Sequence, residues 1–127
     1  MPKFSWTILA TSVAVLIVFL STIPLQLPPL EMELSADKLA HAFAYFVLST
    51  NLGMALDLDW NIKNKNQIVF LAVFLFGLIL EIIQGYVLVY RTFEAYDLLA
   101  NTIGILAYIL LAKTLKKIVD KSRIFIN

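Results

Sequence analysis

The sequence predicts an all-α, polytopic integral membrane protein: a four-transmembrane-helix bundle forming one domain over residues 1–127, with both termini cytoplasmic. Three observations predict it. Hydrophobic residues make up 61% of the chain and charged ones 15%, with mean hydropathy +0.85. Soluble domains hold roughly 45–50% apolar residues, and one this small buries only about 60–70% of its chain surface, too little to hide the excess. The apolar residues come in continuous runs, which suit helices; barrel strands show alternation over about ten residues. Finally, Lys3, Lys63, Lys65, Lys113, Lys116, Lys117, Lys121 and Arg123 fall on one side of a four-span arrangement, against Lys38 and Arg91 on the other. That is the positive-inside bias, and it requires an even number of crossings.

The first helix is expected over residues 4–23, "FSWTILATSVAVLIVFLSTI", a stretch without a charge and long enough for a ~30 Å hydrocarbon core. Lys3 precedes it as in a signal peptide, but no small-x-small cleavage pattern follows Ile23, so a retained helix is expected. The second, over 37–57, is apolar apart from His41, Asn51 and a few hydroxyls. The third, over 67–90, is the strongest after the first, and the fourth, over 95–115, is the shortest and most polar. The tail "KTLKKIVDKSRIFIN" reads as a basic amphipathic helix end resting on anionic lipid. Between the first two helices, "PLQLPPLEMELSA" holds three prolines and should be extended, as a lid over the bundle mouth or a strap along the interface. "DLDWNIKNKNQ" is a solvated inner connector with Trp60 at the headgroup level.

Composition also removes several functions. There is no cysteine, so disulfides, thiolate metal sites and cysteine nucleophiles are excluded. A net charge of +1 argues against nucleic acid as a partner. No phosphate-binding glycine loop, serine triad or cofactor motif is present. One histidine among scattered acids falls short of the usual metal-ligand sets, so neither metal nor cofactor is expected.

The polar residues inside the spans follow helical spacing. Asp37, His41 and Tyr45 share one face of the second helix; Gly77, Glu81 and Gly85 share one on the third, with Gln84 beside them. Asp97, Asn101, Gly104 and Tyr108 form a stripe on the fourth. At about 1.5 Å per residue, His41 and Asn101 lie one turn below the outer end, Gln84 near 9 Å, and Tyr45 and Glu81 at roughly 12–14 Å. Asp37, Lys38, Arg91, Glu94 and Asp97 form the rim. The pattern is a polar pit opening outward, with the Tyr45 hydroxyl level with Glu81. A carboxylate in hydrocarbon costs at least about 2.5–3.5 kcal/mol, so Glu81 should face the bundle interior and have partners.

These residues carry a resemblance. "DKLAHAFAYFVL" followed by "EIIQGYVLVYRTFEAYDLLANTIG" resembles the VanZ-like family of small bacterial membrane proteins, named for an accessory protein of glycopeptide (teicoplanin) resistance. The shared pattern is Asp-Lys-x-x-His-x-x-x-Tyr, then Glu-x-x-Gln, an Arg, and Asp-x-x-x-Asn-x-x-Gly, covering the second to fourth helices. It implies a functional set of Asp37, Lys38, His41, Tyr45, Glu81, Gln84, Arg91, Asp97 and Asn101, and a role at the cell envelope in the bacterial inner membrane. One departure lies between Gln84 and Arg91: the family often has a Pro- or Gly-containing break there, whereas "GYVLVY" has only Gly85 and can continue as helix.

The expected partners are membrane lipids and an anionic lipid-linked envelope precursor or glycopeptide. Glu81 and His41 are the acid/base candidates, since imidazole titrates near neutrality and an intramembrane acid is functional by default. Arg91 and Lys38 suit an anionic headgroup, or pair with Asp37, Glu94 or Asp97. Gln84 and Asn101 bond across helices, and Asp37 and Asp97 sit where acids complement helix N-termini. The same residues serve a non-catalytic scaffold equally well. A proton-coupled transporter is disfavoured, because few polar groups continue from Glu81 toward the cytoplasm.

Overall fold

Hydrocarbon offers a backbone no hydrogen-bond partners, so each long apolar run closes its own amides and carbonyls in a helix. The computed structural model describes residues 4–23, 34–89 and 92–126. They form α1 (Trp6–Thr22), α2 (Leu34–Met54), α3 (Lys65–Tyr86) and α4 (Ala95–Ile126), with no strand among the described residues. A five-residue π-helical stretch, Ala55–Asp59, prolongs α2. The segment over 36–59, α3 and most of α4 are long and apolar enough to cross a membrane, and α1 is a shorter apolar helix of 17 residues. The outer connector lies largely outside the described residues, as does Arg91.

Two boundaries differ from the sequence expectation. The third helix was expected to 90 and ends at Tyr86, because the Val87 and Leu88 amides both turn back to the Ile83 carbonyl. Phe93 then packs over Gly85, folding the connector against the helix end. The break that "GYVLVY" could have bridged is therefore present. The fourth helix, expected over 95–115 as the shortest, is the longest at 32 residues. Its basic tail contains no proline or glycine and is rich in Lys and Ile, so nothing stops the helix at the end of the apolar run. Thirty-two residues make a rod of about 48 Å.

Helix α2 packs most extensively on α4, α1 lies against α2, and α3 lies against both α4 and α2. The core runs along this seam through Tyr45, Leu48, Val69, Val73, Leu80, Ile105 and Tyr108. The α2–α4 approach is close enough to require glycine: a Cβ on Gly104 would lie 2.2 Å from the Ala42 carbonyl oxygen and 2.9 Å from the Phe46 nitrogen. Both are backbone atoms, which cannot move aside cheaply.

The helices alternate in direction, and polar groups gather at two ends. At one, Asp59 accepts from the Thr7 amide (2.8 Å) and hydroxyl (2.7 Å), tying the end of α2 to the start of α1. Trp60 Nε1 donates to the Thr7 hydroxyl at 2.9 Å. Asp57 meets Lys65 at 3.0 Å and Lys116 at 2.9 Å, joining α2, α3 and α4. This is the basic end. The other end holds the starts of α2 and α4, the last turn of α3 and the close of α1.

Gly104→Ala is expected to lower stability by about 1–3 kcal/mol through overpacking of the α2–α4 seam. The exposed Leu110→Ala should stay within about 0.5 kcal/mol of the parent. Thermal melts in detergent check both.

Candidate functional site

Helical spacing on three helices builds the acidic end. Asp37, Lys38 and His41 come from the first two turns of α2, and Tyr45 lies one turn further in. Glu94 immediately precedes α4, which contributes Asp97 and Asn101. Glu81 and Gln84 come from the last two turns of α3.

Lys38 is the hub. Its ammonium contacts Asp37 Oδ2 at 3.1 Å and Glu94 Oε2 at 2.5 Å, and it also bonds Asp97 Oδ1. One cation thus pins the start of α2 to the start of α4. Its side chain is only 18% exposed, so these pairs are poorly screened by water. Asp37 and Asp97 both fall in first turns. Their carboxylates nonetheless point at Lys38 and His41, with no bond to a helix amide among the described residues.

His41 stands beside that hub. Its Nδ1 lies 3.3 Å from Asn101 Oδ1, and its Nε2 is 3.6 Å from both Asp37 Oδ1 and Asp97 Oδ2. Deeper in, Tyr45 and Asn101 meet over Gly77. A Cβ there would lie 2.9 Å from Tyr45 Cε1 and 3.1 Å from Asn101 Nδ2. Any larger residue would push the tyrosine and the amide apart, so the glycine keeps three helices in register.

Glu81 is 2% exposed, and its Oε2 accepts the Glu94 amide at 3.3 Å. That bond is its only one among the described residues. The Tyr45 hydroxyl, expected level with Glu81, lies against Gly77, one helical turn from Glu81 on α3. The charges of Glu81 and Asp97 act on that hydroxyl. Gln84 turns away and donates to the Ser21 carbonyl at 2.9 Å, fastening the end of α1 to α3.

The structure therefore brings Asp37, Lys38, His41, Tyr45, Glu81, Asp97 and Asn101 to one end of the bundle. Gln84 adjoins them but faces α1, and Arg91 lies outside the described residues. Glu94 is the residue the spacing argument undervalued: it was a rim charge, yet it gives Lys38 a carboxylate and Glu81 an amide. Its position just ahead of the α4 start, facing Lys38, was the available signal. Among the described residues the end holds four carboxylates, Asp37, Glu81, Glu94 and Asp97, against the single ammonium of Lys38. Asp37, His41 and Asp97 place one ligand atom each within 4.8 Å of one another. Sequence spacing could not reveal that set, because Asp97 joins it from another helix.

A separate apolar cleft of about 250 Å³ lies between α1, α2 and α3, with Ala10, Ala14, Leu48, Ala72 and Phe76 in its walls. It shares no residue with the polar cluster.

A family model described as VanZ/LLP1 matches residues 3–116. The chain belongs to the VanZ/LLP1 family. The match spans all four helices and stops ahead of the last turns of α4. No curated protein and no solved structure matches the chain. For this VanZ/LLP1 chain Asp37, Lys38, His41, Tyr45, Glu81, Asp97 and Asn101 of the residues implied by resemblance converge in space, while Gln84 turns to α1 and Arg91 lies outside the described residues.

Replacing Lys38 with Met should cost about 3 kcal/mol, since three carboxylates would then face one another without their cation. Adding Asp97→Asn to that variant should recover part of the loss. Melts of the single and double variants, read as a cycle, check the coupling.

Proposed function

We propose that this VanZ/LLP1 protein is a multi-pass protein of the bacterial inner membrane whose acidic end opens outward. There it binds the charged headgroup of a lipid-linked or glycopeptide-related amphiphile. The observation that carries the reading is the convergence of Glu81, His41, Tyr45, Asp97 and Asn101 from three helices that are otherwise apolar. Desolvating so many polar groups in one membrane-embedded cluster is costly, and a polar ligand repays it. The lysines at the opposite end, Lys63, Lys65, Lys113, Lys116 and Lys117, support a cytoplasmic placement of that end by the positive-inside rule. The apolar cleft supports lipid as the neighbouring phase.

In this reading Glu81 and His41 exchange protons with the headgroup during transfer or hydrolysis. Glu81 suits the task because its carboxylate is buried, with the Glu94 amide as its hydrogen-bond donor among the described residues. His41 suits it because Asn101 holds the ring, so its other nitrogen faces the cluster. Lys38, held among three carboxylates, orients them; anion binding falls to Arg91.

Specific bonds favour a second reading, a non-catalytic scaffold or accessory factor in glycopeptide resistance. Gln84 to Ser21 and Lys38 to Glu94 and Asp97 each join separate elements and need no substrate to explain them. Conservative variants separate the two. On the enzymatic reading, Glu81→Gln and His41→Gln keep parental melting behaviour but lose about 10²–10⁴-fold of turnover on a lipid-linked wall precursor. They also lose any change in teicoplanin susceptibility of the expressing cells. On the scaffold reading, susceptibility follows melting temperature alone, and Gln84→Leu is as damaging as Glu81→Gln.

Orientation has its own test. The chain has no cysteine, so single cysteines at Ala36, Lys63 and Lys117 can be labelled cleanly. An impermeant reagent applied from outside should modify the first and spare the other two; the reverse pattern would overturn the placement.

A further inference from the structure

We infer that Asp37, His41 and Asp97 form a binding site for a borderline divalent cation, Zn²⁺ or Mn²⁺, at the acidic end. The ligand atoms are His41 Nε2, Asp37 Oδ1 and Asp97 Oδ2. The nitrogen lies 3.6 Å from each oxygen, and the set spans no more than 4.8 Å. At that separation the atoms are too far apart to be hydrogen-bonded to one another. Zn–N and Zn–O distances of about 2.0–2.2 Å put tetrahedral ligand atoms roughly 3.3–3.6 Å apart, which the two nitrogen–oxygen separations match. The two oxygens, within 4.8 Å of each other, close on the metal as it binds.

The surroundings aim these atoms inward. Asn101 Oδ1 is an acceptor, so the Nδ1 facing it at 3.3 Å carries the ring proton, and Nε2 presents its lone pair. Metal-bound histidines are oriented in the same way, by an acceptor on the remote nitrogen. Lys38 takes the other oxygen of each carboxylate, Asp37 Oδ2 and Asp97 Oδ1, and so turns Oδ1 and Oδ2 respectively toward the imidazole. A lone pair and two carboxylate oxygens then face one point, with the Lys38 ammonium on the far oxygens of both carboxylates.

The surroundings further in are polar as well. Tyr45 is 3% exposed and lies with Asn101 against Gly77, one turn further in than His41, so the floor beneath the triad is polar. Glu81, equally buried, accepts the Glu94 amide. Three protein ligands leave a coordination position open for a water or a substrate oxygen. One nitrogen with two carboxylates suits Zn²⁺ or Mn²⁺ better than Ca²⁺, which collects six to eight oxygens. Asp37 is half exposed, which provides an entry path from the aqueous side. A dication also offsets the surplus of four carboxylates over one ammonium among the described residues. The cation site stands by itself. That its open position accepts a phosphate oxygen of an anionic headgroup rests on the headgroup-binding part of the reading under Proposed function; with Nε2 on the metal, proton exchange there falls to Glu81 alone.

The test uses the full chain, purified in detergent and stripped with chelator. Equilibrium dialysis against Zn²⁺ should load about one equivalent per chain. Mn²⁺ bound in its place should show imidazole-nitrogen coupling in pulsed electron paramagnetic resonance. His41→Gln and Asp97→Asn should each weaken binding at least about tenfold, while Lys117→Ala, exposed near the basic end, leaves it unchanged. Failure of the folded wild type to bind from nanomolar to submillimolar free Zn²⁺ would overturn the site, as would binding indifferent to His41→Gln. If the variants do not fold, the wild-type spectrum decides: bound Mn²⁺ without nitrogen coupling excludes His41. Vesicles containing a polyprenyl phosphate should tighten Zn²⁺ binding. If they do not while the metal still loads, the headgroup role fails and the cation site survives.

Discussion

One ammonium holds the acidic end together. Lys38 lies between carboxylates from the start of α2, the connector ahead of α4 and the first turn of α4, and every other feature of the cluster follows from that bridge. With the two helix starts fixed, His41 and Asn101 stand opposite each other and the Glu94 amide reaches Glu81. Gly104 then allows α2 and α4 to stay in contact one turn below Asn101. The attraction is strong here because the ammonium is mostly shielded from water, and the geometry is over-determined because it has three partners. A cation with one partner would leave α4 free to rotate about its axis.

Much of this was legible in the residues themselves. Period and apolar run length located all four helices, because in hydrocarbon the backbone has no alternative to helix. The i, i+4 spacing of Asp37, His41 and Tyr45, and of Asp97 and Asn101, placed those residues on common faces before any coordinates. What spacing could not supply was the relation between faces. The spacing alone left Lys38 either reaching for an anion or paired with acids. The structure puts it among three of them, because α4 starts beside α2. Gln84 shares a helix end with Glu81, and its exit toward Ser21 depends on where α1 lies.

Helix ends were the other weakness, for opposite reasons at the two places. In "GYVLVY" every residue tolerates helix, and the stop comes from Phe93 folding back over Gly85, a contact set by the connector rather than by local propensity. In the basic tail the apolar signal ends but the helical propensity does not, so α4 runs on past the point where hydropathy falls. Hydropathy reads solvent, and helix length need not obey it.

The continuity of α4 has a consequence for the membrane around it. Asp97 and Lys116 lie on one unbroken helix, 19 residues apart, which at 1.5 Å per residue is about 28 Å. Each is clamped by side chains from other helices, Asp97 by Lys38 and Lys116 by Asp57. The protein thus carries two ionic collars at a fixed vertical spacing close to that of a typical bilayer core. Because the collars are joined by rigid helix rather than by loops, the bilayer, not the protein, bears the strain when the two thicknesses disagree.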